Sequence, residues 1–426
     1  MNEDINIENY FNEYLKTCDE QYLYYLKNNK NNKIEEIENK IKNLNKFINS
    51  IKNKNLISIE DYENIQKFSI SKGGFLSNEN RKILYLKIYN IQDDNLNEML
   101  YVSPEKKIDR FYNKDKFKLN IFNKKNKETN KKENSNNLKV ILQDCNRSKI
   151  YFILDKYDKN GENVENYSKK IKEDLHNFIL ELDKLNNNVY NYFQGYHDIG
   201  LYFYILYIKE KKYSLNVFQR FSEFNLKENL QINPKQNDSY QFMSCVKILK
   251  FVIETIDEDF QKNFIDVKLS EYNGLCMFAS SWLVTVFTHN IIRTEIIFRI
   301  FDYIMVNHPL SLYYLIAVII LDLFKKNKDK KIFESGIEIY KFFQDLNFDE
   351  LDFDFYIYES YKYIKDLDIK KFENLFNQLY VKEFFPIMSE EPLAKKWIMR
   401  QNDKYINNNF FYFVKGQWKT FLDLFN

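Results

Sequence analysis

The only imidazoles in 426 residues are His176, His197, His289 and His308. None stands in an HExxH helix, and no GxSxG or GxxxxGK[ST] segment occurs. A metalloprotease, a serine hydrolase and a P-loop enzyme therefore lack their machinery. His197 precedes Asp198, the types of a base and its orienting carboxylate, but neighbouring helix residues point about 100° apart. The expectation is a core or capping role for both. Asp144 and Arg147 in QDCNRS stand three apart. That is the spacing of an ion pair on a solvated helix face, worth about 0.3–0.5 kcal/mol. Gln194 lies in VYNYFQGYHDIGLYFYIL (189–206), beside one of only eight glycines and inside an aromatic run. Taken alone it is a loop residue capping a helix that starts near Gly195. No single motif decides a chemistry.

The elements that must position these residues read as helical. Gly and Pro number 8 and 5, too few for the many tight turns of a sandwich, and 44% of residues are hydrophobic, enough for a large core. From Ile34, apolar residues at Ile34, Ile37, Ile41, Leu44, Ile48 and Ile51 alternate three and four apart, a short amphipathic helix expected to pack on the main body. In SKKIKEDLHNFILELDKL (168–185) they fall at Ile171, Leu175, Phe178, Ile179, Leu182 and Leu185, one face of a surface helix. The stretch from Ile199 is apolar all round, a buried helix. NGLCMFASSWLVTVFTH and LSLYYLIAVIILDLF also read as helices, with Pro309 closing one element and opening the next. Ser77 is the expected N-cap of the helix carrying Arg81.

Lys and Arg total 63 against 61 for Asp and Glu, a formal charge of +2, without the basic excess of a nucleic-acid binder. Cys18, Cys145, Cys245 and Cys276 form no CxxC pair, so a reduced protein with neither a zinc site nor a disulfide framework is expected. The N-terminus lacks the pattern of a signal peptide. LYYLIAVIIL (312–321) is ten residues long, whereas a membrane span needs about 20, so it reads as core. NKKNKETNKKENSNN (123–137) has no apolar residue and is expected to be a disordered insertion.

In combination the motifs are specific. ILQDCNR, followed about 45 residues later by YFQG, resembles the I-x-x-D-x-x-R and Y-x-Q-G pair of the TBC domain. The apolar position of the first motif falls on Ile141 or Leu142. GGFLSNENRKILYLKI resembles the family's opening segment, with Arg81 at its arginine and Tyr85 where a tryptophan is usual. FASSWLVTVF, with Phe278, Trp282 and Phe287, resembles the F-x-x-x-W-x-x-x-x-F helix. RIFD, Arg299 to Asp302, resembles R-I-W-D with Phe301 for the tryptophan. The resemblance runs from about Gly73 to about Phe385. YFQGYHDI, ASSWLVTVFTH and NHPLSLYYLIAVIIL resemble one subgroup above the others, endoplasmic-reticulum members acting on the Rab of ER-to-Golgi traffic.

The resemblance implies an all-α TBC domain of two helical subdomains at 56–385, between an N-terminal helical extension (1–55) and a C-terminal extension (386–426). It implies an activator that completes a partner Rab GTPase's active site rather than hydrolysing GTP alone. Arg147 would be the arginine finger and Gln194 the glutamine finger, supported by Asp144, Tyr192, Gly195 and Asp198. Asp144 would orient Arg147 or tie down the loop. Arg81, Trp282 and Asp302 would be structural. No cofactor or metal would belong to this chain, because GTP and Mg²⁺ come with the partner. The alternative is a catalytically silent Rab-binding scaffold of the same fold. Members of the subgroup normally end in a transmembrane helix, whereas FFYFVKGQWKTFLDLFN is too short and too polar to span. A cytoplasmic protein is expected, recruited peripherally to ER or Golgi membranes.

Overall fold

Apolar spacings of three and four residues dominate the chain, and every regular element among the described residues is helical. The computed structural model describes residues 2–29, 33–92, 139–157, 164–186, 192–226, 238–328, 335–378 and 389–406. The insertion expected at 123–137 and the tail FFYFVKGQWKTFLDLFN lie outside the described residues.

Helices α1 (Asn2–Asn28) and α2 (Ile34–Ile51) join the same core as the rest of the chain. The three-four alternation of α2 buries Ile37, Leu44, Ile48 and Ile51, and its first member, Ile34, stays exposed. Each buried aliphatic side chain contributes about 1.5–3 kcal/mol of transfer free energy, so this stripe decides where α2 lies. Helix α3 (Ile59–Ile70) follows, then α4 (Asn78–Ile88), whose N-cap Ser77 accepts from the Asn80 amide at 3.3 Å. Residues 139–146 are helical, and α5 (Ile150–Tyr157) follows a short turn. Helices α6 (Val164–Asn186), α7 (Tyr196–Leu206) and α8 (Lys211–Asn225) pack together. All of α7's residues except Tyr204 are buried, as expected of a helix apolar all round.

The second half centres on α9 (Asp238–Ile256), α10 (Thr294–Val306), α11 (Leu310–Asn327), α12 (Gly336–Gln344) and α13 (Phe353–Ile364), and α14 (Leu393–Ile406) returns onto α3 and α4. Helix α11 runs through the middle, flanked by α9 and α13, with LYYLIA and IIL of its apolar run buried. Among the described residues no helix is long and apolar enough to cross a membrane. Trp397 of α14 lies under the Arg220 guanidinium, 4.9 Å from carbon to ring centre.

A buried ionic centre locks these helices. Arg81 of α4 donates from Nε and Nη2 to Asp302 of α10, both at 3.0 Å to the nearer oxygen, and both side chains are fully buried. Tyr85 donates its hydroxyl to Asp302 at 2.8 Å, and the Phe75 amide donates at 2.9 Å. Gly74 has φ +53°, and a Cβ there would lie 2.5 Å from Asp302 Oδ2, so only glycine lets the backbone pass. One turn before Asp302, Arg299 pairs with Asp354 of α13 at 2.6 Å and donates to the carbonyls of Ser69, Ile70 and Ser71. Lys40 of α2 donates to Phe68, Ser71 and Lys72 carbonyls at the same helix end. The Arg299 guanidinium at the C-terminal end of α3 is favoured by the helix dipole and by carbonyls the helix leaves over, whereas burial, with Arg299 nearby, pushes the Lys40 pKa well down.

One expected helix is shorter than its pattern. NGLCMFASSWLVTVFTH forms a single 3-10 turn at Met277–Ala279 and the short helix Ser280–Val284, then leaves the helical path. Val286 and Phe287 hold left-handed φ of 52° and 64°. Those angles end the helix, and Phe287 packs on Trp282 from the turn rather than from a helix face. Trp282 is also wedged against Phe348, 4.8 Å between ring centres. That packing pins a turn whose conformation is costly for a β-branched residue.

Candidate functional site

Arg147 emerges at the C-terminal end of the helical segment 139–146, its amide donating to the carbonyls of Gln143 and Asp144. A guanidinium is favoured there by the helix dipole. Ile141 is fully buried and Leu142 is exposed, so the apolar position of the motif is Ile141. On the other side of the turn Ile150 is fully buried. Between these anchors the Arg147 side chain is 67% exposed.

The ion pair is not the solvated one its spacing suggests. Asp144 is only 2% exposed, and its Oδ1 accepts from Arg147 Nη2 at 2.6 Å. Its Oδ2 accepts from the Tyr192 hydroxyl at 2.9 Å, from a residue 48 positions away. A buried carboxylate requires such partners, because losing water costs it several kcal/mol. Asp144 therefore fastens the Arg147 turn to the loop that carries Gln194. Next to it, burial pushes the Cys145 thiol up to about 12, so this cysteine packs as a neutral side chain.

The loop is shaped at Gly195, the N-cap of α7, with φ +97°. A Cβ there would lie 2.5 Å from Thr285 Cγ2, so conformation and packing both demand glycine. Tyr196 stacks on Phe218, 4.6 Å between ring centres, and its hydroxyl bonds Ser222 Oγ at 2.8 Å. Phe193 leans on Tyr196 at 5.4 Å. Gln194 stands exposed between these held neighbours.

His197 and Asp198 are both buried, at 5% and 6% exposure, and they do meet. Their helical positions diverge, but His197 Nε2 lies 3.2 Å from Asp198 Oδ1, while its Nδ1 is 2.8 Å from the Tyr192 hydroxyl. From the Thr285–Asn290 turn, His289 Nδ1 reaches Asp198 Oδ2 at 3.4 Å, and the His289 amide donates to Thr285 Oγ1 at 3.2 Å. Burial alone would raise the Asp198 pKa, but hydrogen bonds and charge from His197 and His289 outweigh it and hold it at about 2. Asp198 lies in the first turn of α7, where its charge also meets the positive end of the helix.

Arg147, Asp144, Tyr192, His197, Asp198 and His289 thus form one connected series, with Gln194 and Gly195 in the loop it holds. Arg81, Asp302 and Trp282 lie apart from it in the packed interior. His197, His289 and Thr285 were not among the expected site residues. The His197–Asp198 pair was visible in the sequence, but the turn that brings His289 to it was not. Among the described residues no group of three or more His, Cys, Asp or Glu is arranged to hold a metal ion.

Residues 81–329 match the model of the Rab-GTPase-TBC domain, more than half of the chain. The chain belongs to this family. The human protein named TBC1 domain family member 20 is 24% identical over 261 residues, covering 61% of this chain and 53% of its own length. The Bos taurus protein of that name matches to the same extent. GTPase-activating protein gyp10 of Schizosaccharomyces pombe is 26% identical over 179 residues, covering 39% of this chain and 44% of its own. The chain spans about half the length of the curated relatives it matches. Arg147 and the Tyr192–Gly195 loop both fall inside the matched TBC region.

Proposed function

We propose that this TBC protein stimulates GTP hydrolysis by a Rab-family GTPase, with Arg147 as the arginine finger and Gln194 as the glutamine finger. The observation that carries the reading is Asp144, one buried carboxylate bonded to Arg147 from the first motif and to Tyr192 from the second. Arg147 and the loop that carries the exposed Gln194 are thereby tied to the same carboxylate.

The chemistry follows from what each group offers. Charge accumulates on the phosphate oxygens as GTP is cleaved, and an arginine supplied in trans accelerates the step by about 10³–10⁵-fold, or about 4–7 kcal/mol. The guanidinium stays charged when desolvated and reaches two oxygens with its fork. A glutamine amide both donates and accepts, so Gln194 holds the attacking water and a backbone group together. The nucleotide and its Mg²⁺ arrive with the GTPase. The gyp10 relative is named as a GTPase-activating protein, which supports the same activity here. The resemblance to its subgroup supports a role in ER-to-Golgi vesicle traffic, with peripheral recruitment to those membranes.

Single-turnover hydrolysis by a panel of GTP-loaded Rabs tests the reading, with wild type, Arg147→Ala and Gln194→Ala in parallel. One Rab responding to wild type and to neither variant is the expected result. A Rab that binds the protein yet hydrolyses at its intrinsic rate refutes the activity in favour of a silent scaffold.

A further inference from the structure

The hydrogen-bond series behind the fingers fixes where its protons are. Arg147 meets Asp144 at 2.6 Å, and a carboxylate so paired accepts only. The single Tyr192 proton therefore goes to Asp144 Oδ2 at 2.9 Å, a charge-assisted bond that outcompetes a neutral acceptor. The Tyr192 oxygen is then left to accept, and the group facing it at 2.8 Å is His197 Nδ1, which must carry a proton. At the other end of the ring, Nε2 lies 3.2 Å from the buried Asp198 carboxylate. A bare nitrogen there would set its lone pair against an anionic oxygen in a place nearly closed to water.

We propose that His197 is a positioning residue for the finger loop that works as an imidazolium, donating from Nδ1 to Tyr192 and from Nε2 to Asp198. This rests on the fingers assigned above for its effect on rate, but not for the protonation itself. The surroundings suit the charge. Asp198 on α7 and Asp144 on the neighbouring segment supply two carboxylates, and Arg147 is turned outward from the second. His289 reaches Asp198 from the Thr285–Asn290 turn, and Lys149 interacts with Asp198 and Asp349 from the edge. Burial keeps the Cys145 thiol and the Tyr202 hydroxyl neutral by raising both.

Losing one proton from His197 breaks the series at one end. With Nδ1 bare, Tyr192 must turn its hydroxyl from Asp144 to the ring, and the Arg147 anchor loses its second partner. With Nε2 bare, Asp198 repels the ring. The finger loop is therefore held best while His197 carries both protons and slackens when it loses one.

The experiment uses the full chain labelled with ¹⁵N-histidine, whose four rings are few enough to assign by substitution. The expected result is one ring, absent from His197→Gln, with both nitrogens protonated between pH 6 and 7. In parallel, the ratio of stimulated to intrinsic GTP hydrolysis is measured from pH 6 to 8.5. It should fall about threefold to tenfold in wild type, the worth of one hydrogen bond expressed in a rate. In His197→Gln, whose amide cannot donate at both ends, it should be lower at pH 6 and flat. A His197 ring with one protonated nitrogen across this range overturns the proposal whatever the activity. An imidazolium ring beside a wild-type ratio as flat as the variant's overturns its positioning role. Failure of the functional reading looks different, as absence of stimulation at every pH.

Discussion

Gly195→Ala offers the sharpest test of how the glutamine loop is held. The backbone there has φ +97°, outside the conformations that a side chain tolerates, which costs about 1–2 kcal/mol. The added Cβ would also lie 2.5 Å from Thr285 Cγ2, an overpacking of about 1–3 kcal/mol. Together the two effects predict a loss of about 2–5 kcal/mol in urea unfolding. They also predict an approximately 10²-fold loss of stimulated rate, because a reacting group misplaced by about 1 Å costs that much. The two contributions separate with Thr285→Ser. Serine keeps the hydroxyl that donates to the Ser281 carbonyl at 2.7 Å and accepts from the His289 amide, but lacks the methyl group. In the Gly195→Ala background it should recover about 1–3 kcal/mol and leave the backbone cost in place. Wild-type stability of Gly195→Ala, or a double variant no more stable than the single, would refute the packing argument.

Four further outcomes are expected. Arg147→Lys keeps the charge and should still fail to stimulate hydrolysis, since a lysine lacks the fork; single-turnover rates near wild type would remove Arg147 from the chemistry. Asp302→Asn should destabilise the fold by about 3–5 kcal/mol in urea, because it leaves the fully buried Arg81 with only Asp19, 3.6 Å away, as counter-charge; Arg147→Ala removes one of two partners of the buried Asp144 and should cost about 1–3 kcal/mol, less than the Asp302 change because Tyr192 still donates to that carboxylate. Asp198 is held at about 2, below its unfolded value. Its contribution, about 2 kcal/mol from that shift, is therefore complete above pH 5 and lost as pH falls from about 4 towards 2. Asp198→Asn should flatten that part of an acid-unfolding curve, and an unchanged curve counts against the assignment.

Much of the fold was legible because helices are written locally. The three-four stripe of α2, the Ser77 cap of α4, the all-apolar α7 and the Pro309 boundary each depend on residues within a few turns of one another. The failure at Val286 and Phe287 has the opposite character. Their apolar pattern favours a helix, and the left-handed turn exists because Trp282, Phe348 and their neighbours fix Phe287 from outside that segment.

The same division runs through the candidate site. Two motifs about 45 residues apart are readable in the sequence, and with the segments around them, in order, they resemble the TBC family. Their union was not readable. Spacing alone made Asp144 and Arg147 a solvated pair, whereas burial of Asp144 and the arrival of Tyr192 turned it into the joint between two loops. Adjacent helix positions argued against contact between His197 and Asp198, and a tyrosine on one side with a distant histidine on the other brought the two together. Residue types and helical periods are properties of a few consecutive positions, so the sequence by itself determined the helices, the family and the candidate fingers. Dielectric environment and long-range hydrogen-bond partners arise only when distant segments exclude water from one another, and the tertiary structure alone decided which charges are buried and what ties Arg147 to the Gln194 loop.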